Sequence, residues 1–192
     1  MNAIMKSKKY ILVPLGLAGM ALTLYLVLRV AKPAVATPSE FAEGVARHYN
    51  PWISQQQASQ IASSLASWTQ IRNLNMFTSL AIIAQESSFR PWVTGDIGEK
   101  GLWQLSDIAL AELERVYGIK VDRARVYDID YNTELGTLYF LYCVKLAKGE
   151  RREAVARYHR TTEYWEAWDY ADAVLSKREE IVRMHEEFIK GG

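Results

Sequence analysis

The chain has 192 residues, 49% of them hydrophobic and 23% charged, which supports one sizeable core and excludes both a disordered polymer and a polytopic membrane protein. Its net charge of +1 is uneven: Lys6, Lys8, Lys9, Arg29 and Lys32 give residues 1–32 a charge of +5 with no acid, so the remainder carries +1 minus +5, or −4. A mildly acidic body with no basic cluster beyond Glu150-Arg151-Arg152 excludes nucleic acid as an expected partner.

Tyr10 to Leu28 is a run of 19 residues without a charge. At about 1.5 Å per residue such a run nearly spans a hydrocarbon core of about 30 Å. A single transmembrane helix is expected, with the lysines before it holding the N-terminus in the cytoplasm and the body on the periplasmic or wall side. A cleaved signal peptide competes, because Ala34-Val35-Ala36 has the small-x-small form. The apolar run is longer than the usual signal core of about 7–15 residues, and Arg29, Lys32 and Pro33 separate it from that site, so a retained anchor is the reading adopted. The chain thus divides into a cytoplasmic N-terminus and anchor over 1–31, a proline-containing linker over 32–40 and a globular domain over 41–192.

From Phe41 onward every strong periodicity is helical, and no window alternates as a strand would, which predicts an all-α domain. Ser54 caps a helix to about Thr69, with Ala58, Ile61, Ala62, Leu65 and Trp68 on one side. Asn75 caps the next, which ends before Pro91. Ser106 opens a helix that stops at Gly118, with Ile108, Leu110, Ala111, Leu113 and Val116 as its apolar contacts. Asp130 or Asn132 opens a longer, aromatic-rich helix closed by Gly149; a short helix follows over Glu150 to Arg157, and Thr162 caps a last one towards Ile189.

The lone Cys143 sits among Tyr139, Phe140, Tyr142 and Leu146 and reads as a small core hydrophobe. His48, His159 and His185 lack metal-ligand spacing, and neither a Gly-x-Ser-x-Gly elbow nor a phosphate loop occurs, so no metal or cofactor is expected.

One carboxylate stands out. Ile82 and Ile83 lie four and three positions before Glu86 on its own side of a helix, in a run that is otherwise apolar. Lost hydration and the negative end of the helix dipole would both raise its pKa, giving an acid able to hold a proton near neutrality. The following loop, Trp92 to Gln104, carries glycines at 95, 98 and 101, a backbone able to approach an extended ligand. Trp92 and Trp103 offer flat faces for sugar rings, and Gln104 offers both donors and acceptors.

Glu86-Ser87, followed after this loop by Gly101-Leu102-Trp103-Gln104, resembles the first two motifs of the lytic transglycosylase family of peptidoglycan-cleaving enzymes. Asn132, Gly136 and Tyr139 resemble that family's Asn-x-x-x-Gly-x-x-Tyr segment, and Ala156-Arg157-Tyr158-His159 its Ala-x-Tyr-Asn motif. Two positions depart: Trp103 stands where methionine is usual, and His159 where asparagine is. The resemblance implies a lysozyme-like α-helical domain in which Glu86 is the single catalytic acid/base and Ser87, Gly101, Leu102, Trp103 and Gln104 line the substrate cleft. It also implies that the Tyr158 hydroxyl approaches the glutamate. The implied reaction cleaves the bond between N-acetylmuramic acid and N-acetylglucosamine and leaves a 1,6-anhydro sugar without adding water. Partners would be peptidoglycan strands, the membrane through the N-terminal helix, and a larger envelope-spanning or viral assembly. Two alternatives stay open: a hydrolytic muramidase using Asp96 as a second carboxylate, and a non-catalytic glycan-binding or assembly component. Tyr164, Trp165, Trp168 and Tyr170 could line a sugar subsite or pack the last helix.

Overall fold

A computed structural model of the chain describes residues 37–160 and 163–191. Among these, the regular structure is helical: α1 (Pro38–Tyr49), α2 (Gln55–Ile71), α3 (Met76–Glu86), α4 (Asp107–Tyr117), α5 (Ile129–Leu146), α6 (Arg151–His159) and α7 (Trp168–Gly191), with short 3-10 turns at Arg123–Arg125 and Tyr164–Ala167. Two isolated β-bridges, Thr94 to Lys100 and Lys100 to Leu105, close the loop between α3 and α4.

The boundaries follow from local chemistry. Ser54 forms a capping box with Gln57 at the start of α2, Asn75 caps α3 through the Thr78 amide at 3.0 Å, and Ser106 caps α4 through the Ala109 amide at 3.1 Å. Gly118 ends α4 in a left-handed conformation, φ 65°, which glycine adopts without a Cβ penalty. Thr37 builds a capping box with Glu40, so α1 begins at Pro38, inside the stretch read as linker.

Three local expectations need correction. The cap of α5 is Asp128, whose Oδ1 accepts from the amides of Asp130 and Tyr131 at 3.1 Å, and Asn132 is thereby freed to turn inward. On α4 the buried residues are Ala109, Leu110 and Leu113, while Ile108 is 80% exposed and Ala111 and Val116 also face solvent. This helix packs mainly against α5, so only a narrow stripe is covered. α6 runs on to His159 rather than stopping at Arg157, and the Arg160 amide closes it on the Ala156 carbonyl. The Thr162 cap and the membrane segment Tyr10 to Leu28 lie outside the described residues; among those described, no helix is long and apolar enough to cross a membrane.

α1 packs on α2, α2 on α5, α5 on α6, α6 on α7, and α7 on α3. α3 is buried along Thr78 to Ala84, with Leu80, Ala81, Ile82 and Ile83 fully enclosed. A helix covered on all sides cannot slide or tilt without disturbing close-packed neighbours, so its C-terminal residue is held in place. That residue is Glu86.

Candidate active site

Immediately after Glu86 the chain reverses. Ser88 (φ 49°) and Phe89 (φ 57°) are consecutive non-glycine residues in the left-handed region, a local strain that surrounding contacts must hold. Phe89 is completely buried, stacks on Tyr49 at 6.0 Å between ring centroids, and its carbonyl accepts from Asn50 Nδ2 at 3.3 Å. Burying a phenylalanine side chain contributes about 1.5–3 kcal/mol, enough to offset a backbone cost of about 1–3 kcal/mol per strained residue only with the help of these added contacts. Ser87 is also buried, and its Oγ donates back to the Ile83 carbonyl at 3.2 Å. Its hydroxyl closes the helix and offers a ligand no surface.

The Glu86 carboxyl keeps some accessible surface but lies deep among protein atoms. Burial pushes its pKa up from 4.5 to about 7, the Tyr170 hydroxyl that donates to Oε1 opposes the rise, and the negative charge of Glu99 adds to it. Tyr170 comes from α7, and His159, at the end of α6, stacks on it with ring centroids 4.4 Å apart and planes 14° apart. The His159 pKa is lowered, by burial first and then by Arg160, so near neutrality the ring is uncharged. A carboxyl that is protonated at first, oriented by one phenolic hydroxyl and able to ionise near neutrality, can serve as an acid and then as a base.

The remaining motif residues assemble the loop. Gly101 has φ 75°, and a Cβ there would come within 2.6 Å of Asn132 Nδ2. Asn132, on α5, accepts from the Trp103 amide at 3.0 Å and donates to the carbonyls of Lys100 at 3.1 Å and Val126 at 2.7 Å. Trp103 is fully buried, with its indole directly over Gly136, where a Cβ would lie 2.1 Å from Cγ. The glycine on α5 is what makes room for tryptophan at this position. Leu102 is likewise fully buried. Gln104 Nε2 donates to the carbonyls of Val93 at 3.1 Å and Gly101 at 2.8 Å, tying the base of the loop. Tyr158 is buried and its hydroxyl donates to the Trp103 carbonyl at 2.5 Å.

Ser87, Leu102, Trp103 and Tyr158 therefore hold the frame around Glu86 from inside, and the phenolic donor to Glu86 is Tyr170 rather than Tyr158. Of the two tryptophans expected to face sugar, Trp92 is 56% exposed and Trp103 is enclosed. Asp96 is exposed, and the loop carboxylate that acts electrostatically on Glu86 is Glu99. Tyr164 and Trp168 carry arginines over their rings, Arg157 at 3.8 Å and Arg152 at 4.4 Å, while Trp165 is 57% exposed. Tyr170, expected as a subsite or packing residue, instead donates to Glu86, a partner 84 positions away that it meets only when α7 docks on α3. Among the described residues no group of His, Cys, Asp and Glu could hold a metal ion.

A family model described as the transglycosylase SLT domain matches residues 63–180, more than half of the chain. No curated protein matches the sequence. Among solved structures, the chain is similar to an inactive mutant of the lytic transglycosylase Slt from Pseudomonas aeruginosa, at 23% identity and TM-score 0.50 over 62% of this chain and 22% of that one. It is also similar to the 70-kDa soluble lytic transglycosylase of Escherichia coli, at 16% identity and TM-score 0.51 over 78% of this chain and 29% of that one. A 70-kDa soluble lytic transglycosylase in complex with bulgecin A gives 17% identity and TM-score 0.51 over 75% of this chain and 28% of that one. The chain spans less than a third of the length of these structures, and at such identities the likeness concerns the fold.

Proposed function

The chain belongs to the transglycosylase SLT domain family, and from that premise we propose that it is a peptidoglycan lytic transglycosylase in which Glu86 does the proton transfers. The observation that carries this reading is the Glu86 carboxyl at the end of a buried helix, its pKa raised to about 7 and one oxygen fixed by Tyr170. Protonated Glu86 donates to the glycosidic oxygen between N-acetylmuramic acid and N-acetylglucosamine as the bond to C1 breaks. The resulting carboxylate then takes the proton of the muramyl 6-hydroxyl as that oxygen closes on C1. One group can serve both steps because its pKa lies near neutrality. Trp92, exposed at the start of the loop, offers an aromatic surface to a sugar ring.

The residues shared with the family motifs act at one remove: Gly101, Asn132, Gly136 and Tyr158 lock the loop that walls the site. The membrane anchor at Tyr10 to Leu28, the wall-side location of the domain and service to a larger envelope-spanning or viral assembly form part of the proposal, resting on the charge-free run and the lysines before it. Such an anchor would confine wall cutting to a local opening. The test is digestion of purified peptidoglycan by the full chain and by Glu86→Gln, with mass analysis of the released muropeptides. Release by the wild type that disappears in the variant is expected. Equal release by both would remove Glu86 from the chemistry, and release by neither would leave a glycan-binding component.

A further inference from the structure

Position 159, where the motif usually carries asparagine, holds a flat ring, and that ring lies against the phenol that binds Glu86. The His159 and Tyr170 rings are 4.4 Å apart between centroids with planes 14° apart, a face-on contact. The aromatic pairs around the neighbouring Tyr158 are of another kind, tilted or edge-on, at 59° to Trp103, 60° to Tyr139 and 75° to Phe140. Asparagine has no aromatic ring to lay on the phenol, so this contact is one that histidine brings to the position.

The contact ties the end of α6 to the acid on α3 by way of α7. His159 is the last residue of α6; the residues before it, Val155, Ala156 and Tyr158, are buried, and the Arg160 amide closes the helix on the Ala156 carbonyl at 2.9 Å. Its backbone is therefore anchored in the core, while much of the residue stays exposed. Tyr170 stands near the start of α7 and reaches Glu86 Oε1 with its hydroxyl, which lies deep among protein atoms although the residue keeps some accessible surface. A phenol held at its hydroxyl alone can leave the carboxyl by rotation about χ1 into another staggered well. A ring laid flat against its face blocks movement to that side.

We propose that His159 is a positioning residue for the reaction: its imidazole, stacked on Tyr170, keeps the phenolic hydroxyl on Glu86. The proposal rests on the transglycosylase reading above for its role in catalysis. With one oxygen held by that hydroxyl, the plane of the Glu86 carboxyl is fixed for both proton transfers. Loss of the stack frees the phenol, and with it the carboxyl, so turnover falls while glycan binding does not. His159 exchanges no proton and acts through Tyr170, not on the sugar itself.

The experiment uses the full chain as wild type, His159→Ala, His159→Asn, His159→Phe, Tyr170→Phe and the double variant that combines His159→Ala with Tyr170→Phe. The first readout, independent of activity, is the mobility of the Tyr170 ring by carbon-13 relaxation on labelled tyrosine, its signal identified by its absence in Tyr170→Phe. The ring is more mobile in His159→Ala and His159→Asn and as ordered as in the wild type in His159→Phe. The second readout is kcat and KM for muropeptide release from solubilised glycan strands. His159→Ala lowers kcat by about 3- to 10-fold, the range an aromatic pair of this kind supports, with KM unchanged, and His159→Phe restores it. In the Tyr170→Phe background His159→Ala has no further effect, because the two residues act as a unit. Unchanged ring mobility in His159→Ala overturns the proposal, as do losses that add in the double variant. Activity kept by His159→Asn and lost in His159→Phe also overturns it, and would make position 159 a polar contact to the sugar. If the ring responds as described but no protein releases muropeptides, the stack stands and the transglycosylase reading fails.

Discussion

Replacing Glu86 by glutamine should remove the proposed chemistry and, above neutrality, stabilise the fold. Its pKa is raised from 4.5 to about 7, chiefly by burial. Below pH 4.5 the group is protonated in both the folded and the unfolded chain and contributes nothing to the pH dependence. Between 4.5 and about 7 the unfolded chain ionises while the folded one keeps its proton, so stability falls as the pH rises; above about 7 the loss is complete. At about 1.4 kcal/mol per pH unit the full loss is about 3 kcal/mol, and the accessible surface that Glu86 retains reduces this to about 2–3 kcal/mol. Glutamine carries no charge at any pH and still accepts from Tyr170, so it escapes the loss. Thermal unfolding of the full chain, followed by near-ultraviolet circular dichroism from pH 4 to pH 8, reads the difference. At pH 8 the Glu86→Gln variant should melt roughly 5–10 °C above the wild type, at about 2–4 °C per kcal/mol for a domain of this size, and the gap should close towards pH 4. A gap that stays constant across this range would refute the argument that burial raises the pKa of Glu86.

Gly136→Ala should destabilise the domain by about 1–3 kcal/mol or more, because its Cβ would lie 2.1 Å from Cγ of a fully buried indole that has nowhere to go. Urea unfolding checks this, and a midpoint equal to the wild type would mean that Trp103 is not seated as described. Tyr158→Phe leaves the buried Trp103 carbonyl without its donor and should lower stability by about 1–3 kcal/mol, with activity falling only as far as folding does. A hundredfold loss of turnover at unchanged stability would instead tie the Tyr158 hydroxyl to the reacting proton.

The helix caps were legible because they are local: Ser54, Asn75, Ser106 and Gly118 act within four residues of themselves, so their side chains and backbone preferences suffice. Asp128 was missed in favour of Asp130 and Asn132 because all three can cap, and what decides among them is that Asn132 is claimed by the loop 29 residues away. Glu86 was legible for the same reason as the caps, its apolar neighbours being one helical turn away. Its partner was not. Tyr170 reaches it only through the docking of α7 on α3, 84 positions further along the chain. The motif residues Leu102, Trp103 and Tyr158 were legible as a group but not in their task, because a sequence pattern does not say whether a side chain faces the cleft or the core.

The central claim is that Glu86 acts alone on the bond, with no water as nucleophile, and the isotopic composition of the products tests it most directly. Digesting purified peptidoglycan with the full chain in oxygen-18 water and weighing the released muropeptides distinguishes the two outcomes. The account predicts anhydro-muramyl ends, lighter than reducing ends by one water and free of oxygen-18, and their absence with Glu86→Gln. Reducing ends carrying oxygen-18 at C1 would contradict it, and would make the reaction a hydrolysis.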